Sequence, residues 1–357
     1  MKKVCFLIGN LNNSGGTERV ATLIANELVK MNYNISIISL AGGKYPFFEL
    51  DDSIRTYSLY SDKVSFKTNF FGVVYKLRNF VKNNKIDSFV VVDSISCIFT
   101  VPAFYGLKIN HICWEHFNFS VNLGVKSRDL GRKLAARYCN SVVTLTERDK
   151  DYWLQGTQHK SQITAIANPC PFSIQEYTKE ENTKTVLAVG RLTNQKGFDL
   201  LLESWVEVNK AKPDWKLKII GEGEGRGKLT NFIKENELND SVELVGNTDD
   251  VGQYYKEAEI FCLSSRFEGF PMVLLETLAF GLPVVSFDCD TGPAEVLDGT
   301  GSILVPQGDV NQLATSLVSM INDEKKRKKI SLKSKEKAKI YQPQNIISQW
   351  VSLIESF

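Results

Sequence analysis

Long apolar runs are missing from this 357-residue chain. Nothing in it approaches the roughly 18 consecutive apolar residues that a membrane-spanning helix needs, so a helical bilayer span is excluded. Cysteine carries no pairing pattern: positions 5, 97, 113, 139, 170, 262 and 289 give an odd count without any Cys-x-x-Cys. Several lie inside apolar runs, where cysteine behaves as a small hydrophobe. Neither a zinc site nor a disulfide framework is implied, and a reducing cytosol is the simplest compartment. Histidine is scarce, at three. Two phosphate-loop signatures are also absent. The loop Gly9-Asn-Leu-Asn-Asn-Ser-Gly15-Gly16-Thr-Glu18 has neither the Gly-x-Gly-x-x-Gly spacing nor the Gly-Lys-Ser/Thr ending, which removes nicotinamide and Walker-type sites.

What is present fits a soluble globular protein of two domains, with 43% hydrophobic and 24% charged residues. The net charge of +2 is uneven. Residues 1–170 hold 21 Lys and Arg against 13 Asp and Glu, and residues 171–357 hold 22 against 28, giving +8 and −6. The first half is therefore expected to meet something anionic, while the acidic second half argues against nucleic acid. Lys2-Lys3 followed by Val4–Ile8 is too short an apolar run for a signal peptide and reads as a first strand.

Apolar runs at Ile35–Leu40, Ser88–Val92, His111–Trp114, Ser141–Leu145 and Ile163–Ile166 continue as strands with helical patterns between most of them, the first marked by Val20, Leu23, Ile24 and Leu28. Asn168-Pro-Cys-Pro-Phe172 and the acidic Glu176–Asn182 run break the rhythm, placing a boundary near 170–183. It resumes with strands at Thr185–Gly190, Leu217–Gly221, Val242–Val245, Glu259–Leu263, Val284–Asp288 and Ile303–Val305. Helices are expected at 198–211, 226–236, 250–258, 272–280, 309–321 and 323–340, then an amphipathic one over Gln344–Phe357. This predicts an α/β protein: doubly wound Rossmann-like domains over 1–170 and 171–340 facing across a cleft, and a terminal helix over 341–357.

The stretch Cys262-Leu-Ser-Ser-Arg266-Phe-Glu268-Gly269-Phe270-Pro271-Met272…Glu276 reads as a strand end, a short loop and a helix start. Ligands bind at the carboxyl ends of parallel strands, and a helix beginning there aims free N–H groups at them. Two acids beside such a terminus suit a ligand with hydroxyls for the carboxylates and phosphate for the amides. Apolar neighbours set Glu268 and Glu276 apart from merely solvated acids. Arg191 and Lys196 follow another strand end and suit a diphosphate. The glycine turn Gly221–Gly227 and the turn at Asn247-Thr248 follow neighbouring strands and could read a base edge. Glu115-His116 ends a strand in the first half. Asp288-Cys-Asp290 has metal-motif spacing, but Arg191 and Lys196 already supply the cationic charge, so no metal is expected. The segment from Lys63 to Lys82 mixes Phe66, Phe70, Phe71, Tyr75 and Phe80 with cations. It suits an anionic membrane surface or a lipid-linked phosphate, and equally an amphipathic core helix with a basic outer face.

With these residues assembled, the chain resembles the retaining glycosyltransferases of family four, of GT-B fold, and among them bacterial enzymes that build surface polysaccharides such as O-antigen and capsule. Glu268-Gly-Phe-Pro…Glu276 is similar to the family's Glu-x7-Glu motif, and Gly190-Arg191-Leu…Lys196-Gly to its diphosphate segment. The Gly15-Gly16 loop and Trp114-Glu-His116 resemble its N-domain loop and catalytic-region histidine. The resemblance implies a nucleotide diphosphate sugar, with uridine the favoured base, gripped by Arg191 and Lys196 with the Gly15-Gly16 backbone near the diphosphate. Glu276 would take the ribose, and Glu268 with Gly269, Phe270, Pro271 and Met272 the sugar. His116 would meet the sugar from the acceptor side, and Asn247 and Thr248 the base. It further implies a lipid-linked (polyprenyl diphosphate) saccharide acceptor, no metal or cofactor, and a final helix crossing back to the first domain; taken with the cysteine usage and the basic aromatic segment, the expectation is a cytoplasmic protein at the inner face of the membrane, docked through 63–85. The alternatives are a nucleotide-sugar epimerase, against which the two-acid motif argues, and a catalytically silent binding protein of the same fold.

Overall fold

The structure, a computed structural model, describes residues 1–62, 64–65, 68–176 and 183–357. Lys63, Phe66 and Lys67 of the basic aromatic segment, and most of the acidic run before Asn182, lie outside the described residues. The chain forms two compact units, Met1–Pro171 with Pro343–Phe357, and Phe172–Gln342.

The first unit holds seven strands: β1 (Lys3–Ile8), β2 (Asn34–Ser39), β3 (Arg55–Ser58), β4 (Ser88–Val92), β5 (Asn110–Trp114), β6 (Ser141–Thr144) and β7 (Gln162–Ala165). The second holds six: β8 (Thr185–Val189), β9 (Lys216–Ile220), β10 (Val242–Gly246), β11 (Ile260–Leu263), β12 (Val284–Asp288) and β13 (Ile303–Pro306). Helices α1 (Gly16–Lys30), α2 (Phe70–Asn84), α3 (Cys97–Phe104), α4 (Lys126–Tyr138) and α5 (Glu147–Gly156) fall between the first strands. Helices α6 (Phe198–Ala211), α7 (Arg226–Glu235), α8 (Val251–Glu257), α9 (Met272–Ala279) and α10 (Pro293–Leu297) fall between the second, and α11 (Val310–Asn322), α12 (Glu324–Ala338) and α13 (Pro343–Glu355) close the chain.

Every strand pairing is parallel, and the sheet orders are β3-β2-β1-β4-β5-β6-β7 and β10-β9-β8-β11-β12-β13. Helices cover both faces of a parallel sheet, so central strands are buried at nearly every position. All five residues of β4 and of β5 are buried. The strand order reverses between β1 and β4 in one sheet and between β8 and β11 in the other. Such a reversal parts the loops at the carboxyl ends and opens a crevice there.

Two elements escape the sequence pattern. Strand β3, Arg-Thr-Tyr-Ser, lies at a sheet edge with only Thr56 and Tyr57 half-buried, so it carries no apolar run. Helix α10 is five residues long, too short for periodicity. In α13 the expected side faces the first unit: Ile346, Ile347, Trp350, Leu353 and Ile354 are buried. The Trp350 ring meets Trp114 edge-on at 4.6 Å, and Lys2 and Tyr33 bind Glu355.

Candidate active site

In the second unit, the loops leaving β8 and β11 flank the reversal of strand order, and they are stitched together. The Arg266 amide donates to the Gln195 carbonyl at 2.8 Å, the Gln195 side-chain amide to the Phe267 carbonyl at 3.1 Å, and the Ser264 hydroxyl to the Lys196 carbonyl at 2.9 Å. The Arg266 guanidinium grips both oxygens of Asp199 at 2.8 and 2.7 Å, which holds that carboxyl below its usual range. Gly197, at φ +63°, passes so close to the Ser264 carbonyl that a β-carbon would collide with it.

This seam brings two of the expected residues together. Lys196 Nζ lies 2.8 Å from Glu268 Oε1, and the same oxygen accepts from Ser265 Oγ at 2.6 Å. Glu268 is 5% exposed, its amide donates to the Asp290 carbonyl at 3.0 Å, and Thr291 donates back to the Glu268 carbonyl. Arg191 is different: its side chain is exposed and has no ion-pair or hydrogen-bond partner among the described residues. The expected cation pair is therefore one anchored ammonium and one open guanidinium.

Pro271 caps α9 with extended backbone, and Met272 opens the helix. Glu276 lies on its buried side, 3% exposed, and Oε2 accepts from the Tyr255 hydroxyl of α8 at 2.6 Å. Asn247 is exposed and Thr248 half-buried after β10. The Thr248 hydroxyl accepts from the Asp250 amide at 3.2 Å, a turn closed on itself.

In the first unit, the Gly9–Gly16 loop follows β1, at the other reversal of strand order. Gly15 caps α1 with Glu18 folded over it, whereas the space a side chain at Gly16 would take is open. Two strands along the same sheet, β5 ends at Trp114-Glu115-His116, and here the expected pair divides. Glu115 is a buried brace: its carboxylate binds Arg132 at 3.2 Å, the Ser94 hydroxyl, and the amides of His116 and Phe117 at 3.0 and 3.1 Å. The His116 ring packs against Trp114 at a tilt of 48° with centroids 4.4 Å apart, and its Nε2 is buried without a partner among the described residues. Burial pushes its pKa down to about 3, so the ring is neutral. Next to it, burial and the Glu115 charge push the Asp93 carboxyl up to about 6 against the pull of Arg128 at 2.8 Å.

Ser265, Tyr255, Arg132 and the Asp93–Arg128 pair were not singled out from the sequence. Tyr255, Arg132 and the Asp93–Arg128 pair act through partners distant in the chain, whereas Ser265 acts on Glu268 three residues on, a spacing the sequence does show.

Among the described residues one group has metal-ligand proximity, Cys97, His111 and Cys139 in the core of the first unit. Cys139 Sγ lies 3.6 and 3.7 Å from the two ring nitrogens of His111, so it points at neither lone pair. Nε2 is engaged with Thr100 at 3.0 Å. The arrangement is core packing. Helix α2 buries Val73, Leu77 and Val81 and turns Phe71 and Tyr75 outward, 83% and 67% exposed. It contains no acid. Arg78 donates to the carbonyls of Ala103 and Tyr105, beside the exposed Tyr105 ring. The segment thus forms an amphipathic helix with an apolar inner face and a basic aromatic outer one. No described helix is long and apolar enough to cross a membrane.

Comparison with known proteins bears on both units. A family model described as "Glycosyltransferase Family 4" matches residues 14–171, and one described as "Glycosyl transferases group 1" matches residues 171–337. An uncharacterised glycosyltransferase of Haemophilus influenzae is 38% identical over 99% of this chain and 100% of its own. The Campylobacter jejuni enzyme named as an α-1,4-N-acetyl-D-galactosaminyltransferase acting on a diphospho-undecaprenol-linked saccharide is 30% identical over 99% of this chain and 98% of its own. The Erwinia amylovora amylovoran biosynthesis glycosyltransferase AmsD is 30% identical over 99% and 100%. Among solved structures, Staphylococcus aureus TarM with UDP and α-GlcNAc-glycerol superposes with TM-score 0.84 at 17% identity, over 99% of this chain and 100% of that one. The lipopolysaccharide galactosyltransferase WaaB superposes with TM-score 0.78 at 21%, over 99% of each. These likenesses identify the fold as GT-B.

Proposed function

The chain belongs to the family 4 glycosyltransferases, and from that premise we propose that it moves a hexose or N-acetylhexosamine, with retention, from a UDP-sugar to a hydroxyl of a lipid-linked saccharide in bacterial surface-polysaccharide synthesis. The observation that carries this reading is the Lys196–Glu268 pair at the carboxyl ends of β8 and β11. Breaking an anomeric C–O bond leaves an oxocarbenium-like sugar and a diphosphate whose charge must be met as it grows. Lys196, the open Arg191 guanidinium and the amides at the start of α9 supply positive potential for the leaving group. Glu268, with Gly269, Phe270, Pro271 and Met272, holds the sugar. Glu276 takes the ribose hydroxyls, the turn at Asn247 and Thr248 takes the base, and the Gly15-Gly16 backbone approaches the diphosphate. The neutral His116 offers a hydrogen bond to the sugar without placing a second cation beside a developing oxocarbenium. The acceptor hydroxyl arrives on the face the diphosphate leaves, and a phosphate oxygen takes its proton, so no protein nucleophile and no metal enter the reaction.

Support for the donor and acceptor comes from relatives. TarM is seen with UDP, and the Campylobacter relative is named for an undecaprenol-linked substrate and an α-linked product, which retention yields from an α-linked donor. Docking on an anionic inner-membrane surface through Phe71, Tyr75, Tyr105 and the cations of α2 keeps such an acceptor within reach. The test is release of nucleoside diphosphate from UDP- and GDP-sugars, in EDTA, with and without polyprenyl-diphosphate-linked saccharides. Acceptor-dependent release from one donor is expected. Conversion of the donor without acceptor would instead identify an epimerase, and a magnesium requirement would overturn metal independence.

A further inference from the structure

The second unit is acidic overall, yet one face of it is strongly basic. Residues 324–339 carry nine Lys and Arg against two Glu. In α12 the buried side is Arg327, Ile330, Ser334 and Ala338, spaced by three or four. Arg327 faces inward, bonding the carbonyls of Met320 and Ile321 and pairing with Glu259. The opposite side presents Lys325, Lys329 and Lys333 to solvent with Leu332 among them, 73% exposed, and Ile340 follows in the next turn, 54% exposed.

We propose that this face of α12 docks on a bilayer surface containing anionic lipid. Three features select a bilayer over other anions. Exposed Leu332 sits inside the cationic stripe and Ile340 just past its end, where a bilayer offers them an apolar phase and a soluble polyanion offers none. The exposed cations are all lysines, point charges suited to a diffuse surface potential, while the one arginine, whose fork would read individual phosphates, is turned into the core. The charge is also local: the rest of residues 171–357 is more acidic still, so the unit presents this side to a negative surface and turns its other sides away. The helix lies directly on the end of α9, where Gly281 (φ +67°) approaches Ser331 and Lys335 so closely that a β-carbon would clash. Docking there would fix the helix that carries Glu276 relative to the membrane. The inference stands on α12 alone and depends neither on α2 nor on the identity of the donor.

All seven native cysteines are buried, so a Leu332→Cys variant of the full chain can be labelled selectively with a polarity-sensitive fluorophore. Phosphatidylcholine vesicles containing phosphatidylglycerol are expected to shift its emission to the blue, pure phosphatidylcholine to leave it unmoved, and high salt to reverse the shift. Replacing Lys325, Lys329 and Lys333 by Gln should weaken partitioning at the probe roughly a hundredfold. An unmoved probe on protein that still sediments with anionic vesicles overturns the inference while leaving docking through α2 standing. The same shift with soluble polyphosphate would overturn the choice of a bilayer.

Discussion

Lys196 Nζ and Glu268 Oε1, 72 residues apart in sequence, stand 2.8 Å apart in a seam that two strand-end loops form by bonding each other's backbone. Their side chains are 16% and 6% exposed, so the pair is largely desolvated. Lys196→Ala and Glu268→Gln should each lower kcat by about 10²–10³-fold, the scale on which oriented charges contribute to a transition state. The double variant should lose little more than either single one, since both act through one ion pair. Losses that multiply in the double variant would show that the two residues act independently.

Arg191 tests the same chemistry without the packing. Its side chain is exposed, so Arg191→Ala should leave the melting temperature unchanged while acceptor-dependent release of the diphosphate collapses. Unimpaired turnover would remove Arg191 from the donor site.

The Tyr255 hydroxyl holds Glu276 Oε2 at 2.6 Å inside the core. Tyr255→Phe takes a donor from a buried carboxylate and should cost about 1–3 kcal/mol of stability. It also removes one restraint on the carboxylate, so the KM for the donor should rise while kcat holds, whereas Glu276→Ala should raise KM further. A stability loss with an unchanged KM would confine Glu276 to a structural role.

His116 gives a pH dependence of definite sign. Its pKa of about 3 lies below the roughly 6.5 of an unfolded chain, so between those values the unfolded state binds the extra proton. Stability from this residue is whole above pH 6.5 and falls as pH drops toward 3, by up to about 1.4 kcal/mol per unit. Denaturant titrations of His116→Gln should therefore show a shallower acid limb than the parent, and the parent's His116 ring resonances should stay fixed from pH 8 to pH 5. Movement of those resonances near pH 6.5 would show a solvated, protonatable ring.

Much of this architecture can be read along the chain because parallel strands buried on both faces must be apolar without alternation. Ser88–Val92 and Val284–Asp288 are bounded in the structure as their composition predicts, and the amphipathic side of α13 is the side that packs. What the pattern misses is weakly apolar or distant. Strand β3 has two half-buried residues to announce it, and nothing local ties Lys196 to Glu268 or Tyr255 to Glu276. Glu115 ends a strand beside His116, and nothing local announces that it is buried. The buried Arg132 that claims it comes from α4, 17 residues on.

That arginine carries the last prediction. Its guanidinium donates to the carbonyls of Asn118, Phe119 and Val121 at 2.9, 2.6 and 2.9 Å as well as to Glu115, so one planar group holds the whole loop that follows His116. A lysine ammonium cannot span three carbonyls and a carboxylate in that geometry. Arg132→Lys should leave Glu115 underpaired in the core and cost about 3–5 kcal/mol. Hydrogen exchange should then quicken over residues 116–121 and leave the Glu268–Glu276 segment of the other unit untouched, because the arginine's bonds all fall within the first. Exchange that quickens equally in both units would mean that the arginine supports the whole chain rather than one loop, and its link to His116 would be lost.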